Sequence, residues 1–115
     1  MSLDKGLASG STTLLILKLL EVKDMYGYQM IEELSRKSNN VFNLKAGTLY
    51  PLLHGIENDG MVSSYNDIAD NARERKYYHI TDKGKRCLAD KKAEWTTYSD
   101  AVNLVIRGGL AYAAG

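Results

Sequence analysis

Thr48, Tyr50, Pro51, His54 and Gly55 fall on one side of residues 47–62, GTLYPLLHGIENDGMV, and offer hydroxyls, an aromatic ring, an imidazole and a close backbone approach. No acid interrupts them before Glu57. A surface of that kind can lie against another polymer. Thr48 and the preceding Lys45 stand near the positive end of a helix, fit for phosphate, while Tyr50, Pro51 and His54 can reach base edges or sugars. A solvated helix face is the plain alternative.

These residues need a helix to hold them. Leu49, Leu52, Leu53 and Ile56 fall at i, i+3, i+4 and i+7, which predicts a buried apolar stripe behind the polar one. The helix should start near Lys45 or Ala46 and end at Asn58, Asp59 and Gly60, the glycine supplying a left-handed closing residue. Pro51 costs ~3 kcal/mol in a helix interior because it lacks a donor and crowds the carbonyl four residues back. That carbonyl belongs to Gly47, which can tilt, so a short, slightly bent helix is expected. The other reading is a capped loop followed by a helix from Leu52.

Other chemistry finds no residues to carry it. No nucleophile–base pair, phosphate-binding loop or metal-ligand spacing occurs, so neither catalysis nor a metal or cofactor is expected. The single cysteine, Cys87, cannot form an internal disulfide and reads as helix packing. With 115 residues, 44% of them hydrophobic, the chain can bury one modest core. Its net charge of +1 does not announce a nucleic-acid binder, so that case rests on where the basic residues sit. No apolar run is long enough to span a membrane and no signal peptide is visible, which implies a soluble cytoplasmic protein.

Taken in order, Ser9 or Ser11 is placed to cap a first helix whose body, TLLILKLLEV, is apolar on nearly all sides. Such a helix belongs at the centre of a small bundle. After a turn at Lys23 and Asp24, a second helix spans 26–38, with Tyr28, Ile31 and Leu34 on its apolar face and Met30 beside them. Asn39 and Asn40 break it. The short link to the 47–58 helix gives a helix-turn-helix pattern.

Residues 61–65 and 75–80 read as strands around a polar loop, 66–74. In the second, Tyr78 and Ile80 face one way and Tyr77 and His79 the other, His79 as a surface or packing residue. Three helices followed by a hairpin make a winged helix. Arg73, Arg75 and Lys76 lie at its base, candidates for phosphate clamps, with a soluble hairpin as the alternative. Thr81 then caps a helix from Asp82 to Arg107, about 39 Å long. Along it Leu88, Trp95 and Val102 repeat every seven residues, with Tyr98 and Val105 three further on. That stripe asks for a partner chain. Trp95 suits a dimer seam, and it can also serve as a platform for planar aromatic ligands.

Tyr26-Gly27-Tyr28, the 47–62 segment and RKYYHITDKGK, 75–85, together resemble the PadR-like family of bacterial winged-helix transcriptional regulators over 11–85. The resemblance implies a homodimer whose 47–58 helices enter the DNA major groove while the wings touch flanking backbone, adding Tyr77 to the candidate DNA contacts. One helix after the wing is similar to the short-form branch. That branch implies an aromatic residue of the last helix lining a pore at the dimer centre, where Trp95 and Tyr98 stand as candidate effector contacts. The wing loop differs from the family pattern: DNARERKYY has no Gly or Pro and includes Asp70 and Glu74.

The expected fold is mainly α with a small β-hairpin: a winged helix-turn-helix DNA-binding domain at 1–81, then a C-terminal dimerisation helix and tail at 82–115. The expected function is a homodimeric repressor of a near-palindromic double-stranded operator, released by a small hydrophobic or planar aromatic effector. Its dimer seam would hold Leu88, Trp95, Tyr98, Val102 and Val105. The rival is a winged-helix protein-interaction module without DNA binding, which the acidic wing loop favours.

Overall fold

Because the leucines of the first helix leave it apolar on nearly all sides, with Lys18 and Glu21 paired at 2.8 Å on the exposed one, it packs into the core. In the computed structural model, which describes residues 5–108 and the side chains from 11 onward, α1 (Lys5–Val22) places Ile16, Leu17, Leu19 and Leu20 in the core. The helix begins before either proposed cap, so Ser9 and Ser11 lie within it.

A short strand, β1 (Met25–Tyr26), leads into α2 (Gly27–Lys37), which buries Gly27, Met30 and Leu34. Tyr28 is 53% exposed, contrary to the expectation that it shares the apolar face with Leu34. The buried position at this end belongs to Gly27, and one residue further the helix has turned by about 100°. The turn after α2 is built from asparagines: Asn39 and Asn40 have φ of 52° and 66°, a region these side chains tolerate. Asn40 N donates to the Ser35 carbonyl and Asn43 Nδ2 to the Asn40 carbonyl.

α3 (Ala46–Asn58) starts at the Lys45 N-cap and keeps Pro51 inside it, so the continuous helix replaces the loop reading. Leu49, Leu53 and Ile56 are buried and Leu52 packs beside them. Gly60, at φ +79°, closes the helix while Met61 N reaches back to the Ile56 carbonyl.

β2 (Val62–Ile68) and β3 (Glu74–Ile80) pair antiparallel over their whole length, and Met25 and Tyr26 pair with Tyr78 and Tyr77, giving a sheet ordered β1-β3-β2. The wing loop is shorter than expected. Asn66, Asp67 and Ile68 pair with Lys76, Arg75 and Glu74, so the polar run is strand and only 69–73 turns. Asp67 facing Arg75 across the ladder, an opposite-charge pairing, supports that extension. Tyr78 and Ile80 are buried against the helices, as their alternation predicts.

Thr81 caps α4 (Asp82–Ile106), accepting a hydrogen bond from Gly84 N at 3.1 Å while its hydroxyl donates to the Gly60 carbonyl at 2.6 Å. Gly84 lets the helix start against the wing: a Cβ there would meet the Met61 carbonyl and stand 2.7 Å from Ile80 Cγ1. α4 packs on α1, and its Leu88 is 1% exposed. Leu88 therefore belongs to the protomer's own core and has no surface to give a partner. Beyond it Trp95, Tyr98, Leu104, Val105 and Ile106 are all exposed.

Candidate nucleic-acid interface

Two elements frame the polar side of the molecule: α3 and the strand β3 of the wing. On α3, Lys45, Thr48, Pro51, His54 and Gly55 are exposed, and Tyr50 is 42% exposed. Glu57, the first acid of the helix, is drawn away from this stripe. Its carboxylate accepts from Ser64 Oγ and lies 3.7 Å from Lys76 Nζ, so its charge is held against the wing. Lys76 also stands 5.5 Å from the Tyr78 ring.

The Tyr50 ring leans across the start of α2 onto Gly27, where a Cβ would come within 2.7 Å of Tyr50 Cζ. Burial, and then the neighbouring Tyr28 and Tyr78 hydroxyls, push the Tyr50 pKa up, with Arg75 opposing. A cleft of about 430 Å³ opens here, lined by Tyr26, Gly27, Tyr50, His54, Arg75 and Lys76, with Glu74 and Tyr78 completing it. The Arg75 guanidinium lies 5.2 Å from the Tyr26 ring and 5.9 Å from the Tyr28 ring. Its Nε is buried and donates to no protein acceptor. Sequence reading gave Tyr26 and Tyr28 no role at this site; the only signal for them was the Tyr-Gly-Tyr motif.

Tyr77 is half-buried on the outer face of the sheet, stacked on Tyr65 at 5.7 Å and meeting Tyr26 edge-on at 5.4 Å. On the same face Asp24 accepts from the Tyr65 hydroxyl at 2.7 Å and pairs with His79 Nδ1 at 2.8 Å. Asp24 thereby ties the turn before β1 to both wing strands. Arg73 is exposed at the turn of the wing, among Asp70, Asn71 and Glu74. The structure thus gathers Tyr50, His54, Arg75 and Lys76 around one cleft and leaves Arg73 and Tyr77 outside it.

On α4, Trp95 and Tyr98 stack at 5.8 Å with their planes 30° apart. A shallow apolar hollow of about 300 Å³ follows, formed by Tyr98, Ala101, Val102, Val105 and Ile106. Among the described residues no three His, Cys, Asp or Glu side chains gather as metal ligands, and no helix is long and apolar enough to cross a membrane.

Three helices, a helix-turn-helix whose second helix shows a polar face free of acids, and a hairpin wing define a winged helix-turn-helix regulator. The chain belongs to the transcriptional regulator PadR-like family, whose model matches residues 16–90. It is 36% identical over 95 residues to an uncharacterized protein of Lysinibacillus sphaericus, covering 82% of this chain and 86% of that one. It is 30% identical over 92 residues to the transcriptional regulator Rv3488 of Mycobacterium tuberculosis, covering 80% and 78%. Among solved structures, a PadR family transcriptional regulator from Eggerthella lenta superposes with a TM-score of 0.74 at 32% identity, covering 88% of this chain and 86% of that one.

Proposed function

We propose that this PadR-like regulator is a homodimeric repressor that lays α3 in the DNA major groove and is released by a planar aromatic ligand at the dimer centre. The observation that carries the DNA part is the cleared face of α3: Glu57 is engaged by Ser64 and faces Lys76, which leaves Thr48, Tyr50, Pro51 and His54 as an uninterrupted contact surface. Lys45 and Thr48 meet phosphate at the helix start. Tyr50, Pro51 and His54 meet bases or sugars, and Arg73, Arg75, Lys76 and Tyr77 meet the flanking backbone.

The dimer part rests on α4. Exposed Trp95, Tyr98, Val105 and Ile106, with Val102 beside them, form an apolar face that the described residues leave open, and a second copy of the same helix would cover it. Two α3 helices about one DNA turn apart, ~34 Å, then read a near-palindromic operator. The stacked Trp95–Tyr98 pair supplies a flat aromatic surface for the effector. The place of action is the cytoplasm, with the chromosome.

Gel retardation of fragments upstream of the protein's own gene, with light scattering for mass, tests this reading. A retarded fragment and twice the 12.8 kDa protomer mass are expected. The acids at the wing turn, Asp70 and Glu74, favour a protein-interaction module as the second reading, and a dimer that retards no fragment would select it.

A further inference from the structure

Arg75 is the one cationic side chain of the described residues whose buried donor has no acceptor in the protein. An unmet buried donor is destabilising, so such a group in a folded protein calls for a reason. Among the described residues no carboxylate forms an ion pair with it, although Asp67 is its cross-strand neighbour and Glu74 lines the same cleft. What holds it instead is aromatic. The faces of Tyr26 and Tyr28 lie 5.2 and 5.9 Å from the guanidinium carbon. These contacts fix where the guanidinium sits without consuming its N–H groups.

Around that fixed guanidinium the cleft presents further donors: the Tyr50 hydroxyl, the His54 ring and Lys76. Glu74 is the single acid among its lining residues. A cleft of about 430 Å³ beside the α3 contact face, rich in donors and short of acceptors, matches a phosphodiester oxygen pair.

We infer that this cleft seats one phosphate of the DNA backbone, with Arg75 as its donor and Tyr26 and Tyr28 as the positioning residues that aim it. The inference rests on the DNA-binding reading above and adds to it a role for the two tyrosines. A lysine at 75 would keep the charge but lose both the planar stacking and the Nε–H.

The test measures binding of a duplex from the upstream region across a range of salt concentrations, for the wild type, Arg75→Ala, Arg75→Lys and Tyr28→Leu. Tyr28 is 53% exposed, so its replacement leaves the core untouched. Arg75→Ala should lower the slope of log affinity against log salt by about 0.9 for each seat lost. Arg75→Lys and Tyr28→Leu should each weaken binding about threefold or more at an unchanged slope. In the wild type the Arg75 Nε–H resonance should move when duplex is added. Wild-type binding by Arg75→Lys, or an Nε–H resonance that ignores the duplex, overturns the seat while leaving DNA binding standing. A wild type that retards no duplex removes the DNA reading itself. In that case, movement of the same resonance with inorganic phosphate would assign the cleft to the free anion and overturn the DNA occupant.

Discussion

Gly27 lies directly beneath the ring of Tyr50: a Cβ on Gly27 would stand 2.7 Å from Tyr50 Cζ and 2.9 Å from Cε1. The first residue of α2 thereby decides where a residue of α3 can point. The two helices of the helix-turn-helix are registered by an aromatic ring seated on a bare backbone.

Gly27→Ala should therefore separate stability from recognition. The atoms in its way are the far end of a flexible side chain that is 42% exposed, so the ring can swing aside. Alanine also suits a helix better than glycine by up to ~1 kcal/mol. Urea unfolding should shift by no more than about 1 kcal/mol in either direction. DNA affinity should nevertheless fall about tenfold, because Tyr50 leaves the contact face. Unchanged DNA affinity would show that the placement of Tyr50 does not matter.

Gly84→Ala should behave in the opposite way. Here the obstruction is backbone, with Met61 C at 3.0 Å and its carbonyl oxygen nearer, and Ile80 Cγ1 is 2.7 Å away. Neither the first turn of α4 nor the entry to β2 can move without breaking the Thr81 cap. Overpacking of this kind costs typically 1–3 kcal/mol, and loss of the cap adds about 1 more. Urea midpoints measured for the variant should fall accordingly.

The Asp24, Tyr65 and His79 cluster predicts a pH signature at each end of the scale. The hydrogen bond to Asp24, with burial adding to it, pushes the Tyr65 pKa up to about 12. A phenol whose pKa is raised on folding favours the folded state at every pH below its ordinary value of 10.0, and that contribution disappears as pH rises from there through about 12. Ultraviolet titration should show a late component from Tyr65, with Tyr50 and Tyr77 also displaced upward. Asp24→Asn should bring it back toward the rest. For Asp24 burial raises the pKa, but the hydrogen bonds from Tyr65 and His79 outweigh it and the net shift is downward. Its contribution is therefore present above the ordinary value of 3.8 and is lost as pH falls through the lowered folded value. Acid unfolding of Asp24→Asn should lack that component.

How much of this was legible beforehand depended on whether the signal was local. The stripe of Leu49, Leu53 and Ile56 is a helical period, so α3 and its outward face could be read directly. β1 is two residues long, too short for any period, and exists because Tyr77 and Tyr78 pair with it. The polar ends of the wing strands looked like loop because Asp67 and Arg75 make sense as strand only once paired. Leu88 and Trp95 share a heptad position, but the first is buried in the core and the second is left 43% exposed. From the sequence Arg75 is a wing charge, and its aromatic cradle comes from residues 47 and 49 positions earlier, a distance at which spacing carries no information.

Trp95 offers the last prediction. It is 43% exposed in the protomer and stacked on Tyr98, and a partner helix covering that face would move it to an apolar environment. Being the only tryptophan, it reports this cleanly. Its emission should shift to the red on dilution below the dimer dissociation constant. A charge placed at a point of the seam, as in Val105→Asp, should produce the same red shift at high concentration, since Val105 is 80% exposed and contributes nothing to the protomer core. Desolvating two facing carboxylates costs several kcal/mol, enough to displace the equilibrium by orders of magnitude. A planar aromatic dye should quench Trp95 in the dimer and lose that effect in Val105→Asp if both copies form the platform. Equal quenching in the two would place the ligand on a single Trp95–Tyr98 pair, independent of the second chain.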